Sequence, residues 1–307
     1  MERRNFLKQN ILVGGSLLAG TSLLAENRKA ITSTALEPVP FKLHYGIHDG
    51  MFENLAGPNF IDQIKYAHSI GFTAIEDNGM MSRTPEMQEK IGDTLAALGM
   101  HMGVFVLNYS SNDKINLTTG TQEWKDKFVA SCYEAVEVAK RTNATWITVV
   151  PGNFERSLPI DIQTGNVIES LRPGADILAK HNLVMVLEPL SDTPNLFLRH
   201  SDQTYAICKA INSPSCKILF DMYHMQKNEG NMINNINRCW SEIAYFQIGD
   251  NPGRNEPGTG EVNYHNIFKQ IHSKGYKGVL GMEHGKLGAG KEGELALIKA
   301  YREADNF

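Results

Sequence analysis

The chain lacks the marks of a nucleic-acid or dinucleotide protein. It has no basic excess: 30 Lys and Arg stand against 34 Asp and Glu, a formal net charge of −4 at pH 7. Nucleic acid normally calls for a basic face, so DNA is disfavoured as a partner. No glycine-rich nucleotide loop follows a strand-like run, which argues against an open dinucleotide-binding sheet. The four cysteines, Cys132, Cys208, Cys216 and Cys239, lack metal-type spacing. Buried free thiols are the simpler expectation, with Cys208 and Cys216 the nearest pair should an exported chain oxidise two of them. Past residue 25 no apolar run is long enough to span a membrane.

What is present begins with Arg3-Arg4-Asn5-Phe6-Leu7-Lys8, set before an apolar run from Ile11 to Leu24 rich in Gly, Ser and Ala. This resembles a twin-arginine export signal, and the run is short for a membrane span. No Cys follows it, so a lipoprotein anchor is not expected. The resulting expectation is a signal peptide over residues 1–25, a linker over 26–40 and a folded domain over 41–307. Export by the Tat machinery and a periplasmic location go with it.

Hydrophobic residues make up 42% of the chain and charged residues 21%, which permits a sizeable core. After the linker, short apolar runs alternate with amphipathic segments. Strands are expected at 43–48, 74–76, 102–107, 146–150, 184–187, 217–220, 245–248 and 279–282. Helices are expected at 59–71, 84–99, 122–142, 166–181, 202–211, 232–243, 264–274 and 294–303, with Pro173-Gly174 predicting a kink or a late start in the fourth. The strand runs are continuously apolar rather than alternating, as parallel strands covered on both faces should be. Eight strand–helix units with no internal boundary predict an α/β fold of the (β/α)₈ TIM-barrel type in a single domain.

In such a barrel the C-terminal ends of the strands converge on one mouth. Glu188 ends the fifth strand, Asp221 the sixth and Glu283 the eighth, and Gln247 lies near the end of the seventh. Three carboxylates brought together without a counter-ion repel one another and raise their pKa values, so a bound divalent cation is the economical explanation. Carboxylates and an amide are oxygen donors, which suit Mg²⁺ or Mn²⁺ better than Zn²⁺. His224, three residues after Asp221, and Arg254 would add positive character and could grip substrate oxygens. Arg254 lies in Ile248-Gly-Asp-Asn-Pro-Gly-Arg-Asn-Glu-Pro-Gly-Thr-Gly-Glu261, a turn-rich loop fixed to a core strand, where a ligand is expected.

These residues carry a family resemblance. Phe220-Asp-Met-Tyr-His-Met-Gln226, Glu229-Gly-Asn231 and the run from Phe246 to Tyr264 resemble the xylose isomerase-like barrel superfamily and, within it, the hydroxypyruvate isomerase family. The resemblance implies metal ligation by Glu188, Asp221, Gln247 and Glu283, an acid/base pair in Glu188 and Glu283, and substrate holding by His224 and Arg254. It implies proton transfer beside a carbonyl through an enediolate, on a small carbohydrate or hydroxy-keto acid. Isomerisation is expected, with ketose 3-epimerisation or keto-sugar epimerisation as an alternative and non-catalytic sugar binding as a second. Departures fall in the substrate half: Ile75-Glu-Asp-Asn-Gly-Met80 and Leu107-Asn-Tyr-Ser-Ser111 replace the family's Pro-containing signatures. Ser191 stands where Asn is usual, and His284 where an aromatic is expected. They favour a hydroxy-carbonyl compound other than hydroxypyruvate.

Overall fold

The computed structural model describes residues 40–108 and 117–307, and residues 38–307 form one compact unit. The expected signal peptide, all of the linker but Pro40, and Tyr109 to Ser111 of the third-strand signature lie outside the described residues. In chain order the first half comprises β1 (His44–Ile47), α1 (Glu53–Ala56), α2 (Phe60–Ser69), β2 (Ala74–Ile75), α3 (Pro85–Leu98), β3 (His101–Met102), β4 (Phe105–Val106), α4 (Gln122–Thr142) and β5 (Trp146–Val149). There follow α5 (Ile160–Ala179), β6 (Val184–Leu187), α6 (Ser201–Ile211), β7 (Cys216–Asp221), α7 (Met222–Asn228), α8 (Met232–Cys239), β8 (Ile243–Gln247), α9 (Tyr264–Ser273), β9 (Val279–Gly281) and α10 (Gly290–Ala304).

Several helices start where their capping chemistry says they should. Asn59 accepts from the Ile61 N–H at the head of α2, Thr84 from the Met87 N–H at α3 with Pro85 in the first turn, and Asn263 from the Asn266 N–H at α9. Gly99, at φ 65°, closes α3 in the left-handed conformation that a residue without Cβ adopts freely.

All strands pair in parallel, in the order β3-β2-β1-β9-β8-β7-β6-β5-β4. The two ends of this order are halves of one strand, so the sheet closes into the expected TIM barrel. The expected continuous third strand is instead interrupted at Gly103-Val104. There a Cβ on Gly103 would lie 2.2 Å from the Tyr245 hydroxyl, so the chain passes the barrel interior too closely for any other residue. Hydrogen bonds Gly103 N to Ile75 O (2.7 Å) and Asp77 N to Val104 O (3.2 Å) carry the ladder across the break.

Three further expectations are corrected. The helix expected from Asn166 begins at Ile160, because its first turn exposes Ile160 and Ile162 and so shows no apolar period. Pro173 sits inside it, and Gly174 lets it lie against Phe128, whose ring would be 2.4 Å from a Cβ. The helix expected to reach Ile243 ends at Cys239, since Ile243 is already paired with Ile218. The short helices α1 and α7 were not expected. All four cysteines are free and buried, and burial pushes the Cys132 thiol up to about 12.

Most of the core lies between sheet and helices, and a second cluster fills the barrel: Ala74, Val104, Val186, Leu219, Tyr245 and Val279. Fully burying a Val or Leu side chain stabilises by roughly 1.5–3 kcal/mol. Strand side chains alternate with period two, so residues two positions beyond these inward ones also face the axis, one layer higher. Those residues are Glu76, Val106, Glu188, Asp221, Gln247 and Gly281, with Glu283 a further two on.

Candidate active site

The mouth of the barrel is thus built from the step after a packed apolar layer, and apart from Val106 and Gly281 it is polar. Asp221 and Gln247 are direct neighbours in register across β7 and β8, and Gln247 in turn faces Gly281 across β8 and β9. Asp221 also caps α7, its Oδ1 accepting from Tyr223 N–H (2.7 Å) and His224 N–H (3.3 Å). The cap explains the unexpected helix and turns the His224 ring back toward the strand ends, with Nε2 at 3.5 Å from Asp221 Oδ2 and 3.9 Å from Glu188 Oε1.

His224 is buried, and its environment fixes its tautomer. Nδ1 accepts from Ser191 N–H (3.2 Å) and lies 2.8 Å from Ser191 Oγ. A nitrogen that accepts a backbone N–H carries no proton, so Nε2 is the protonated atom and faces the two carboxylates. Burial lowers the pKa of His224 and keeps it neutral. Glu188, Asp221 and His224 offer ligand atoms within 4.8 Å of one another, a spacing a metal ion could use. A protonated Nε2 makes His224 a donor to oxygen, however, and leaves ligation to the oxygen atoms around it.

Arg254 comes in from the β8–α9 loop. Its Nη2 donates to Glu283 Oε2 (2.8 Å) and Asp221 Oδ2 (3.3 Å), its Nε donates to Glu283 O (3.1 Å), and the guanidinium lies 4.8 Å from the Tyr223 ring centroid. Its backbone has φ 52°, a conformation that costs a non-glycine residue and is kept where the surroundings dictate it. Those surroundings are a staple centred on Asp250, fully buried. Asp250 Oδ2 accepts from Gly258 N–H and Gly260 N–H (both 2.9 Å), Oδ1 accepts from Val262 N–H (3.0 Å), and the Asp250 carbonyl accepts from Arg254 N–H (2.7 Å).

Glu283 also accepts from Asn78 Nδ2 (2.6 Å). Burial first, then the charges of Glu76 and Asp221, push its carboxyl up to about 8 against the opposing pull of Arg254. Glu188 is raised well above the usual carboxylate range by burial and by Glu283 and Asp221. The structure therefore brings together Glu188, Asp221, His224, Arg254 and Glu283, and sets Gln247 beside Asp221.

The donor set fits a divalent cation. Gln247 is buried and its Oε1 is an acceptor with no hydrogen-bond partner among the described residues. Such an orphan costs about 1–3 kcal/mol unless something satisfies it. With Glu188, Asp221 and Glu283 it completes an oxygen-only set whose negative charges call for a cation.

Glu76, Asn78 and Asp250 were given no role at the site by the sequence, and Ser191 was marked only as a departure from the family pattern. Glu76, fully buried, accepts from Gln247 Nε2 (2.7 Å) and Tyr245 Oη (2.8 Å) and lies 2.9 Å from His48 Nε2. Burial by itself would lower the His48 pKa, but the Glu76 carboxylate outweighs it and raises it. The available signal was the period: Glu76 follows inward-facing Ala74 by two. No comparable signal marks Asp250, whose partners are backbone groups.

Comparison with known proteins gives the following. The family model described as Xylose isomerase-like TIM barrel matches residues 64–302. Hydroxypyruvate isomerase of Escherichia coli (strain K12) is 31% identical over 59% of this chain and 69% of its own. 2-Oxo-tetronate isomerase of Cupriavidus necator is 34% identical over 44% of this chain and 52% of its own. Among solved structures, an AP endonuclease, family 2, from Brucella melitensis superposes with a TM-score of 0.72 at 22% identity, covering 84% of this chain and 99% of that one. At that identity the likeness concerns the fold alone.

Proposed function

Because the chain belongs to the xylose isomerase-like TIM barrel family, we propose that it is a divalent-cation-dependent isomerase of a small hydroxy-carbonyl compound. The observation that carries this reading is the inward convergence of Glu188, Asp221, Gln247 and Glu283 on four neighbouring strands, with Gln247 Oε1 left open. Relatives named hydroxypyruvate isomerase and 2-oxo-tetronate isomerase support the reaction class.

When bound, Mg²⁺ or Mn²⁺ would supply Lewis-acid polarisation of adjacent carbonyl and hydroxyl oxygens. Glu188, Asp221, Gln247 and Glu283 would hold it. The chain's own groups do the rest. One of Glu188 and Glu283 takes the proton from the hydroxyl-bearing carbon, and the C–H electron pair becomes the C=C bond of an enediolate. The other carboxyl returns or relays a proton to the former carbonyl carbon, while the hydroxyl proton passes to the former carbonyl oxygen and the new C=O forms where the hydroxyl stood. A positioned carboxyl that takes or returns a proton in this way contributes roughly 10²- to 10⁴-fold. Arg254 and the Nε2–H of His224 donate to substrate oxygens and hold them in one orientation.

The altered β2 and β4 ends, together with Ser191 in place of Asn, favour a hydroxy-keto acid or keto-sugar other than hydroxypyruvate. The Arg3-Arg4 leader supports export through the Tat machinery to the periplasm.

The test is solvent exchange. Purified protein is incubated with Mn²⁺ in D₂O and hydroxypyruvate, 2-oxo-tetronate or candidate ketoses, and deuterium beside the carbonyl is followed by NMR. Exchange with at least one compound is expected, and the product separates isomerisation from inversion at one carbon. Binding without exchange across the whole set would leave a sugar-binding protein and overturn the proposal.

A further inference from the structure

We propose that Glu76 is a positioning residue that fixes the Gln247 side-chain amide so that its oxygen, and not its nitrogen, is offered to a cation. The inference rests on the cation-dependent reading above and adds to it a residue that does not itself ligate.

Three donors converge on this buried carboxylate: Gln247 Nε2 at 2.7 Å, Tyr245 Oη at 2.8 Å and His48 Nε2 at 2.9 Å. An ionised carboxylate only accepts, so whatever the assigned orientation of the amide, the Gln247 group that faces Glu76 must be N–H. Rotating the amide would set oxygen against oxygen in a buried site. The opposite atom of the same planar amide, Oε1, is then directed away from Glu76 and has no partner among the described residues. One charged group thus determines which end of a neutral ligand is free.

The slot for Glu76 is built into the barrel. A Cβ on Gly281 would come within 1.6 Å of Glu76 Oε2, and one on Gly103 within 2.2 Å of the Tyr245 hydroxyl. Glycine therefore stands on β9 and in the break between β3 and β4, where side chains would displace the carboxylate or its tyrosine. Outer residues that orient ligands in this manner typically change metal affinity by about 10- to 100-fold when altered.

The experiment measures cation binding, not turnover. Cation-stripped protein is titrated with Mn²⁺, and the free ion is followed by electron paramagnetic resonance, with far-ultraviolet circular dichroism as the check on folding. Glu76→Gln keeps the shape of the side chain but offers an amide that Gln247 can meet with either end. It is expected to weaken Mn²⁺ binding about 10- to 100-fold. Tyr245→Phe, which removes a different hydrogen bond from the same carboxylate, should change it by less than about threefold. In a Gln247→Ala background, Glu76→Gln should add less than about threefold, because the residue through which it acts is gone.

A Glu76→Gln affinity within about threefold of the parent overturns the inference. So does a full loss that persists in the Gln247→Ala background, since the charge of Glu76 would then act directly. If Glu76→Gln does not fold, Glu76→Asp, which keeps the charge but withdraws it by one methylene, takes its place in the same cycle. If the parent protein binds no Mn²⁺, the cation-dependent reading itself fails and takes this inference with it; if only the variant comparison fails, that reading stands.

Discussion

Replacing Asp250 tests whether the loop that presents Arg254 is held by a single side chain. In Asp250→Ala three backbone donors lose their acceptor: Gly258 N–H, Gly260 N–H and Val262 N–H. The Val262 hydrogen bond is buried and the other two are partly exposed, so water can replace the latter at reduced cost. Leaving a buried donor unsatisfied costs about 1–3 kcal/mol and a hydrogen bond to a charged group contributes about 1.5–3 kcal/mol. Taking about 2 kcal/mol for Val262 and about 1 kcal/mol for each glycine gives a loss of about 4 kcal/mol, a large share of a typical domain's 5–15 kcal/mol.

Asp250→Asn keeps one acceptor oxygen but turns an NH₂ toward a backbone N–H, so about half that loss is expected. Urea unfolding with linear extrapolation reads the change, and hydrogen exchange at the Val262 amide reads it locally if the loop opens before the rest of the barrel. Arg254 N–H is bound by the Asp250 carbonyl, so loosening this loop should also raise KM for any exchanging substrate. A Val262 amide as protected in Asp250→Ala as in the parent, with stability within about 1 kcal/mol, would refute the reasoning.

Other outcomes follow from the same geometry. Glu188→Gln and Glu283→Gln are each expected to abolish solvent exchange, a loss of at least about 10²-fold, while leaving the barrel folded; full activity in either purified variant refutes its assigned role. Glu294 is a case of pH linkage. Burial would raise its carboxyl, but Asn54 N–H and Nδ2, Leu55 N–H and Lys286 Nζ outweigh it and hold the pKa below the usual range. With the folded value below the unfolded one, its contribution is present above the ordinary carboxylate range and is lost as pH falls through the folded value. Thermal unfolding of Glu294→Gln across acid pH should accordingly show a shallower acid decline than the parent, and an identical decline would count against the role.

Much of the barrel was legible in the chain. Eight apolar runs separated by amphipathic helices, capping residues such as Asn59 and Thr84, and closing glycines such as Gly99 state local preferences that tertiary packing had no reason to overrule. The places where the reading failed share a physical cause. The break in the third strand is imposed by the Tyr245 hydroxyl, about 140 residues away in sequence, and a run of local residues holds no record of it. The early start of α5 was hidden because Ile160 and Ile162 face outward and give no period.

The candidate site divides in the same way. Glu188, Asp221, Gln247 and Glu283 could be picked out because each lies at or near the end of a strand, and in a parallel barrel strand ends meet whatever the sequence between them. His224 and Arg254 were marked by motif, yet the tautomer of His224 depends on Ser191 and the seat of Arg254 on Asp250. Above all, the chain by itself determined that an amide oxygen donor would stand among carboxylates at the mouth. Which end of that amide is free was decided by tertiary structure alone. It is fixed by a charge just past β2 meeting a neutral side chain at the end of β8 in a slot that Gly281 leaves open, and only closure of the barrel brings those three together.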